Sequence, residues 1–489
     1  MGNHRKDYSS YLLTISFSNY KSRAKSKNWE FSLTKEEFSG LSLSNCHYCN
    51  QEPPLNLNLM KKSFQILALL LFVACGANAQ QEKGIIGSTN WLSNWTEFKP
   101  AKVDYGEPNQ ILAGNISTNT KLLKKNVYLL QGPVYVDNNA VLTIEPGTVI
   151  IGDFDSGAAL VITKGASIVA DGLETDSIVF TSNRSVKKAG DWGGIVILGD
   201  APINKFGGVA SVNYDLDNAL TVYGGNNPVA SSGTLRYVRI EYAGKKVRGS
   251  GNFNGLFLGG VGNKTVIENV MVSFCAGDSY EVYGGDVVMN KMVSLKANGI
   301  DYKFNYGVQC KIDNSLAIRS SYISSNISTS RCFDLAYYEQ KSEVDFNKKQ
   351  TNVVATNLTF VNDSGDLAAD MQNGLIKDAV RVAENTFLEL KKSVISGFNP
   401  AVVLDAKMEV TAPNLKKIKL EQLYINFCKG NIFTEFNPEN EELENWYGNS
   451  AFFNVYDKKN NSEAFIDFSN EKRPDFRLRI SKITASNNN

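Results

Sequence analysis

The sequence predicts an all-β fold: a parallel β-helix solenoid closed by a cap at each end. Two observations carry this reading. Short β-branched runs are punctuated by Gly, Asn and Asp, and no stretch holds a 3.6-residue apolar period over the length of a helix. The runs also recur. Gly147 and Gly165, in "VYVDNNAVLTIEPGTVIIG" and "ALVITKGASIVADG", read as equivalent turns 18 residues apart. Further on, "VIENVMVS", "VVMNKMVS" and "IDNSLAI" align on Asn269, Asn290 and Asn314, at spacings of 21 and 24 residues. Units of this size, each of two or three short strands, stack so that neighbouring turns close a shared core. Each strand then pairs with its counterpart one turn along at roughly 4.8 Å, in parallel sheets around an apolar interior. The recurring Asn suits a left-handed turn position. A β-propeller, whose units of about 40 residues two such turns could mimic, is the alternative fold.

In chain order, residues 1–59 form a leader in front of what looks like a gene start. The stretch "MKKSFQILALLLFVACGANAQ", residues 60–80, has a basic start at Lys61 and Lys62, an apolar run from Phe64 to Ala74 and the small triplet Ala77-Asn78-Ala79. Those are the three regions of a signal peptide, with cleavage expected before Gln80 and Met60 as the true start. The apolar run is about half the roughly 20 residues a membrane-crossing helix needs, so no transmembrane span is expected. A lipid anchor on Cys75 is the alternative, although Phe72 stands where a lipidation box prefers Leu. Residues 80–120 are expected to cap the N-terminal end, with Trp91 and Trp95 as an apolar plug over open strand edges. Residues 121–430 carry the solenoid, and 431–489, charged, aromatic and Asn-rich, a C-terminal cap and tail.

Composition excludes several chemistries. Fifty-one basic against fifty acidic residues give a net charge of +1, so no broad field attracts nucleic acid or anionic lipid to the exported chain. The two histidines, His4 and His47, both lie in the leader. Ser-His-Asp triads, Cys-His pairs and histidine-bound metals are therefore excluded from residues 80–489. Cys275, Cys310, Cys332 and Cys428 are too widely and irregularly spaced for a disulfide framework and read as small buried apolar side chains.

Two resemblances add to this. The leader segment "YKSRAKSKNWEFSLTKEEFSGLSLSNCHYCN" resembles the front half of phage-type HNH endonucleases, up to a first knuckle at Cys46 and Cys49. A structural zinc site takes four ligands, and the second knuckle does not follow. The leader thus reads as a truncated fragment joined upstream, with an incomplete zinc knuckle. The segments "NVYLLQGPVYVDNNAVLTIEPGTVI", "DWGGIVILGDAPIN", "YGGNNPVASSGTLRYVRIEYAG" and "NGLFLGGVGNKTVIENVMVSFCAGDSYEVYGG" resemble a family of secreted right-handed parallel β-helix proteins of Bacteroidetes-type bacteria, over about residues 86–400. This resemblance implies a right-handed coil, export and a periplasmic, outer-envelope or secreted setting. Some members carry a C-terminal domain for type IX secretion; the ending "RLRISKITASNNN" lacks its glycine- and lysine-rich pattern.

One face draws attention. The loop "DSYEVYGG", 278–285, has a counterpart "IDYKFNYG", 300–307, one turn on. Strand alternation with Tyr280, Val282, Tyr302 and Phe304 inward sends Ser279, Glu281, Tyr283, Asp301, Lys303 and Asn305 outward, with Glu281 beside Lys303. As a ladder of matched surface charges this contributes a few tenths of a kcal/mol. As a polar groove, Tyr283 would stack on a sugar ring while Asp278, Glu281, Asp301, Lys303 and Asn305 bond hydroxyls or a cation. The second resemblance implies an acidic pair and a further acid in both turns, where Ile300 and Lys303 here depart from it. No cofactor is expected, with Ca²⁺ as the one alternative. Trp192 of "DWGG" is either a sugar platform or an apolar cap at a rung edge. The glycines, such as Gly259-Gly260 and Gly284-Gly285, lack the strand, loop and helix context of a nucleotide site.

The function expected is a secreted or envelope-associated binding or structural module directed at glycans or another envelope component, ahead of catalysis. A polysaccharide lyase or glycoside hydrolase working through Asp/Glu and Lys/Arg is the alternative, and a surface adhesin the third reading.

Overall fold

A computed structural model describes residues 83–212, 214–249, 251–324, 330–435, 437 and 440–479. The HNH-like leader with Cys46 and Cys49, the signal segment 60–79, the cleavage point before Gln80 and the anchor at Cys75 lie outside the described residues. Among the described residues no helix is long and apolar enough to cross a membrane.

The chain winds as a right-handed parallel β-helix of three sheets, and 29 strands join in one parallel hydrogen-bonded system. This removes the propeller alternative, whose blades are separate antiparallel sheets. In the third sheet Leu256–Gly259, Tyr280–Tyr283, Tyr302–Asn305 and Phe333–Leu335 stack in register, with Tyr280 opposite Tyr302 and Glu281 opposite Lys303. Alternation then fixes the core. Tyr280, Val282, Tyr302, Phe304, Phe333 and Leu335 point inward and are fully buried. The Tyr280 and Tyr302 rings stack at 5.1 Å, 5° from parallel. Each hydroxyl shares its one proton between two main-chain carbonyls, Tyr280 between Val270 and Val293, Tyr302 between Leu316 and Met292. Two phenols can thus sit in a dry interior because each polar end is satisfied. Cys275, Cys310 and Cys332 are buried, Cys428 partly so, and all four are free thiols.

The corner between the first and second sheets needs a left-handed residue in successive rungs. Register places Asn269, Lys291, Asn314 and Asn357 there, with φ between 48° and 56°. Asn269 and Asn314 are thus equivalent, but Asn290 is one residue early, opposite Glu268 and Asp313; the third member is Lys291. Gly147 and Gly165 are not equivalent either. Gly147 sits between a first-sheet and a second-sheet strand, whereas Gly165 precedes the first-sheet strand Ser167–Asp171. The true partner of Gly165 is Asn139, two residues before Val141 as Gly165 is before Ser167.

Trp91 and Trp95 plug no end. Residues 83–98 run lengthwise over the outside of the second sheet, where Ile85, Leu92 and Trp95 pack with Met271, Val293, Leu316, Val394 and Tyr424. Lys83 Nζ donates to the carbonyls of Leu423 and Phe453, Ile85 N to Thr359 Oγ1, and Ile86 N and Trp91 Nε1 to Asn314 Oδ1. Trp95 then lies edge-on to Tyr237 and accepts a hydrogen bond at its carbonyl from Ser177. The segment is a strap across most of the rungs. The outer face of this sheet is apolar enough to require a cover, which outweighs the open end.

At the other end, helix Glu441–Tyr447 closes the core with Leu443 and Tyr447. Asn440 caps it by accepting from Leu443 N at 3.1 Å, and Glu441, Glu442 and Glu444 suit the positive end of its dipole.

Candidate functional site

Outward positions of the third sheet change character along the axis. Successive rungs present Val196, Phe257, Glu281, Lys303, Asp334 and Arg381. The apolar part is covered by an excursion, residues 199–232, in which Ile203, Val212 and Tyr223 pack on Val196 and Phe257. Gly259 permits this cover, because a Cβ there would stand 2.8 Å from the Tyr223 ring. The excursion reaches the first charged rung through Tyr214, whose hydroxyl accepts from Asn254 beside Glu281. A second arm after Phe333–Leu335 carries Glu339 and joins the first through an antiparallel bridge of Lys205 and Val344. Between the two arms the sheet floors a cleft of about 700 Å³.

Lys303 is the centre of this cleft. Its Nζ lies 2.6 Å from Glu281 Oε1 and 3.7 Å from both Asp278 Oδ2 and Glu339 Oε1. The ammonium also stands 5.2 Å over the Tyr283 ring, a cation–π contact. Glu281 is fixed from the far side, because Asn254 Nδ2 donates to its Oε2 at 2.5 Å and to Tyr214 Oη at 2.8 Å. Asn254 Oδ1 in turn accepts from the main-chain N of Asp278, whose own Oδ1 accepts from Ile300 N at 2.7 Å. Glu339 accepts from the hydroxyls of Tyr283 and Tyr306. At the rim Lys205 pairs with Glu343 at 2.7 Å and stands over the Tyr306 ring.

Burial and charge set the protonation states. Burial pushes the Asp278 carboxyl up to about 6; Lys303 works against this and Glu281 adds to it. For Lys303, burial acts to lower the pKa, but Glu281 and Asp278 outweigh it and hold the ammonium above its ordinary value. Burial, then Glu281 and Glu339, keeps the Tyr283 hydroxyl protonated. Ca²⁺ at the point where the three carboxylates converge would compete with a tethered ammonium.

Of the residues singled out in the sequence, Asp278, Glu281, Tyr283 and Lys303 do line one cleft. The other three lie elsewhere. Asp301 is fully buried in a corner between sheets, bonded to Arg319 at 2.8 Å and to Ser294 at 2.5 Å. Asn305 is buried, its Oδ1 accepting from Tyr306 N. Trp192 is a core residue: it stacks on Phe180, donates from Nε1 to the Glu241 carbonyl and has no exposed surface, so it offers no sugar platform. Tyr283 cannot stack on a sugar either. It is 6% exposed, enclosed by Phe257, Tyr306 and Lys303. Ser279 is buried too, against Ser294. Sequence reading missed Asn254, Glu339, Tyr306 and Lys205; Lys205 and Glu339 come from arms outside the repeat, whereas Asn254 and Tyr306 border the third-sheet strands Leu256–Gly259 and Tyr302–Asn305. A signal existed: "AYYEQKSEVDF" interrupts the spacing between Tyr302 and Gln309 on one side and Asn352 on the other.

Residues 114–467 match the family of pectate-lyase-like β-helix domains, and the chain belongs to that family. No curated protein matches it. Among solved structures, the Dettilon tailspike protein is similar at 11% identity and a TM-score of 0.23, over 63% of this chain. The chain spans 61% of that structure's length.

Proposed function

We propose that the chain is an exported β-helix module that binds glycans in the cleft between the two arms. The observation that carries this reading is the preorganised polar cluster on the cleft floor, in which Asn254 and Lys303 fix Glu281, two tyrosine hydroxyls fix Glu339, and the main-chain N of Ile300 fixes Asp278. A ligand rich in hydroxyls is bound by such fixed acceptors and donors with little ordering cost. Elimination by Lys303 is disfavoured, since a base must give up its proton near neutral pH and this ammonium is held protonated. Export is supported by the segment 60–79 and by Lys83, already packed on Leu423 four residues past the expected cleavage point.

One observation favours a second reading, hydrolysis. Asp278, its carboxyl raised to about 6, and Glu339 both flank Lys303, and glycosidases pair a protonated with an ionised carboxyl. The test is a screen of the purified protein on immobilised neutral, acidic and basic glycans, followed by product analysis on those that bind. Binding lost in Lys303→Met and Glu339→Ala, with an unchanged circular dichroism spectrum, is the expected result. Silence on all glycans, or binding indifferent to both substitutions, refutes the proposal. Cleavage products would establish the second reading over the first.

A further inference from the structure

We infer that the cleft selects saccharides bearing a free amine, with Glu339 as the residue that receives the ammonium group. This rests on the glycan-binding reading and narrows it to one chemical class. The charged side chains lining the cleft are Asp278, Glu281, Glu339 and Glu343 against Lys205 and Lys303. Two of the acids are consumed by close pairs: Glu281 with Lys303 at 2.6 Å, and Glu343 with Lys205 at 2.7 Å. Asp278 and Glu339 remain, each 3.7 Å from the Lys303 ammonium, beyond a direct hydrogen bond. Asp278 lies deep, whereas the Glu339 side chain is 48% exposed at the mouth.

Glu339 is not a loose surface acid. The hydroxyls of Tyr283 and Tyr306 both donate to it, and burial with the nearby carboxylates keeps both phenols protonated. Two donors on one carboxylate stabilise its charge and fix its direction. An ammonium arriving at Glu339 forms a charge-assisted bond to an acceptor already aimed at the cleft. A uronate at the same place would face an excess of negative charge, and like-charge juxtaposition excludes it. Among the described residues of the floor, Phe257, Tyr283 and Tyr306 are all buried and offer no open ring face. Discrimination therefore falls to charge and hydrogen bonding.

The test compares glucosamine oligomers with their N-acetylated counterparts of equal length and with oligogalacturonate, by isothermal titration of the full chain and of Glu339→Gln. Glutamine removes the charge and keeps one of the two acceptor oxygens; its NH₂ takes the other place, so one tyrosine hydroxyl must turn to accept. The amine oligomer is expected to bind at least 10-fold more tightly than the N-acetylated one, with Glu339→Gln reducing that ratio to near 1 and the uronate not binding. Equal affinity for amine and N-acetyl forms overturns the inference and leaves glycan binding intact. A preference that survives in Glu339→Gln also overturns it, by placing the ammonium elsewhere. Should none of these oligomers, nor any glycan of the wider screen, bind, the inference falls together with the glycan reading.

Discussion

Arg319 Nη1 donates to Asp301 Oδ2 at 2.8 Å, with the carboxylate wholly buried and the guanidinium 3% exposed. The pair ties the end of the second-sheet strand Leu316–Arg319 to the residue just before the third-sheet strand Tyr302–Asn305. Arg319 also donates to the carbonyls of Ala297 and Arg331. Burying two charges is tolerated here because nearly every donor and lone pair has a partner. Arg319→Met, which strands Asp301, is expected to lower the free energy of unfolding by about 3–5 kcal/mol. Replacing both partners by apolar residues should recover a large part of that. Urea denaturation decides it, and a single substitution within about 0.5 kcal/mol of the parent, the range of ordinary surface changes, would show that the pair contributes nothing.

Asp278 makes stability depend on pH in an unusual direction for a carboxylate. Its folded pKa, about 6, lies above the ordinary value of 3.8, so the folded state binds the proton more tightly than the unfolded one. The contribution is fully present below about pH 4 and is lost as pH rises through 6; over that window the group lowers stability with rising pH. The size is at most about 3 kcal/mol. Asp278→Asn removes the dependence. The difference in urea midpoint between parent and variant should therefore change steadily from pH 4 to 7; a constant difference would contradict the assignment.

Trp192 provides a test of core against platform. Trp192→Ala is expected to cost about 3–5 kcal/mol through cavity formation beside Phe180. Trp192→Phe leaves the Glu241 carbonyl without its donor and should cost about 1–3 kcal/mol. Glycan affinity measured on the folded fraction should not change in the phenylalanine variant.

The strap can be released without disturbing a rung. Asn314 bonds Ile86 at both N and O and also Trp91 Nε1, while its backbone takes a left-handed φ of 48°. Asn314→Gly keeps that conformation and deletes the three bonds. Hydrogen exchange in residues 85–92 is expected to accelerate selectively, with the rung strands protected as before. Uniform acceleration across the rungs would instead mean that the strap and the solenoid open together.

Much of this fold is written locally. Inward Tyr280, Val282, Tyr302 and Phe304 follow from alternation, and the facing of Glu281 and Lys303 follows from their spacing. The corners are harder to read because a backbone conformation, not a side chain, is what recurs. Lys291 takes the left-handed place that Asn269 and Asn314 take, while Asn290 beside it does not. The cleft is harder still. Asn254 and Glu339 reach Glu281 and Lys303 only through long-range packing, and nothing in a local period reports that Tyr283 and Trp192 end up covered. Asp301 and Asn305 sit at the ends of an alternating run, where the chain turns and outward becomes corner.

The strap also bears on the order of assembly. A bare solenoid transmits stability only between adjacent turns and can form progressively from its first coil. Here Lys83 is anchored on Leu423 and Phe453, more than three hundred residues downstream. The first residue of the strap therefore finds its seat only when the final coils exist, although Trp95 and Trp91 can dock on earlier ones. A ribosome delivering the chain from its front end releases first a piece whose tip must dock last, and a product cut short before residue 423 can seat Trp95, Trp91 and Ile85 but has no place to tie Lys83.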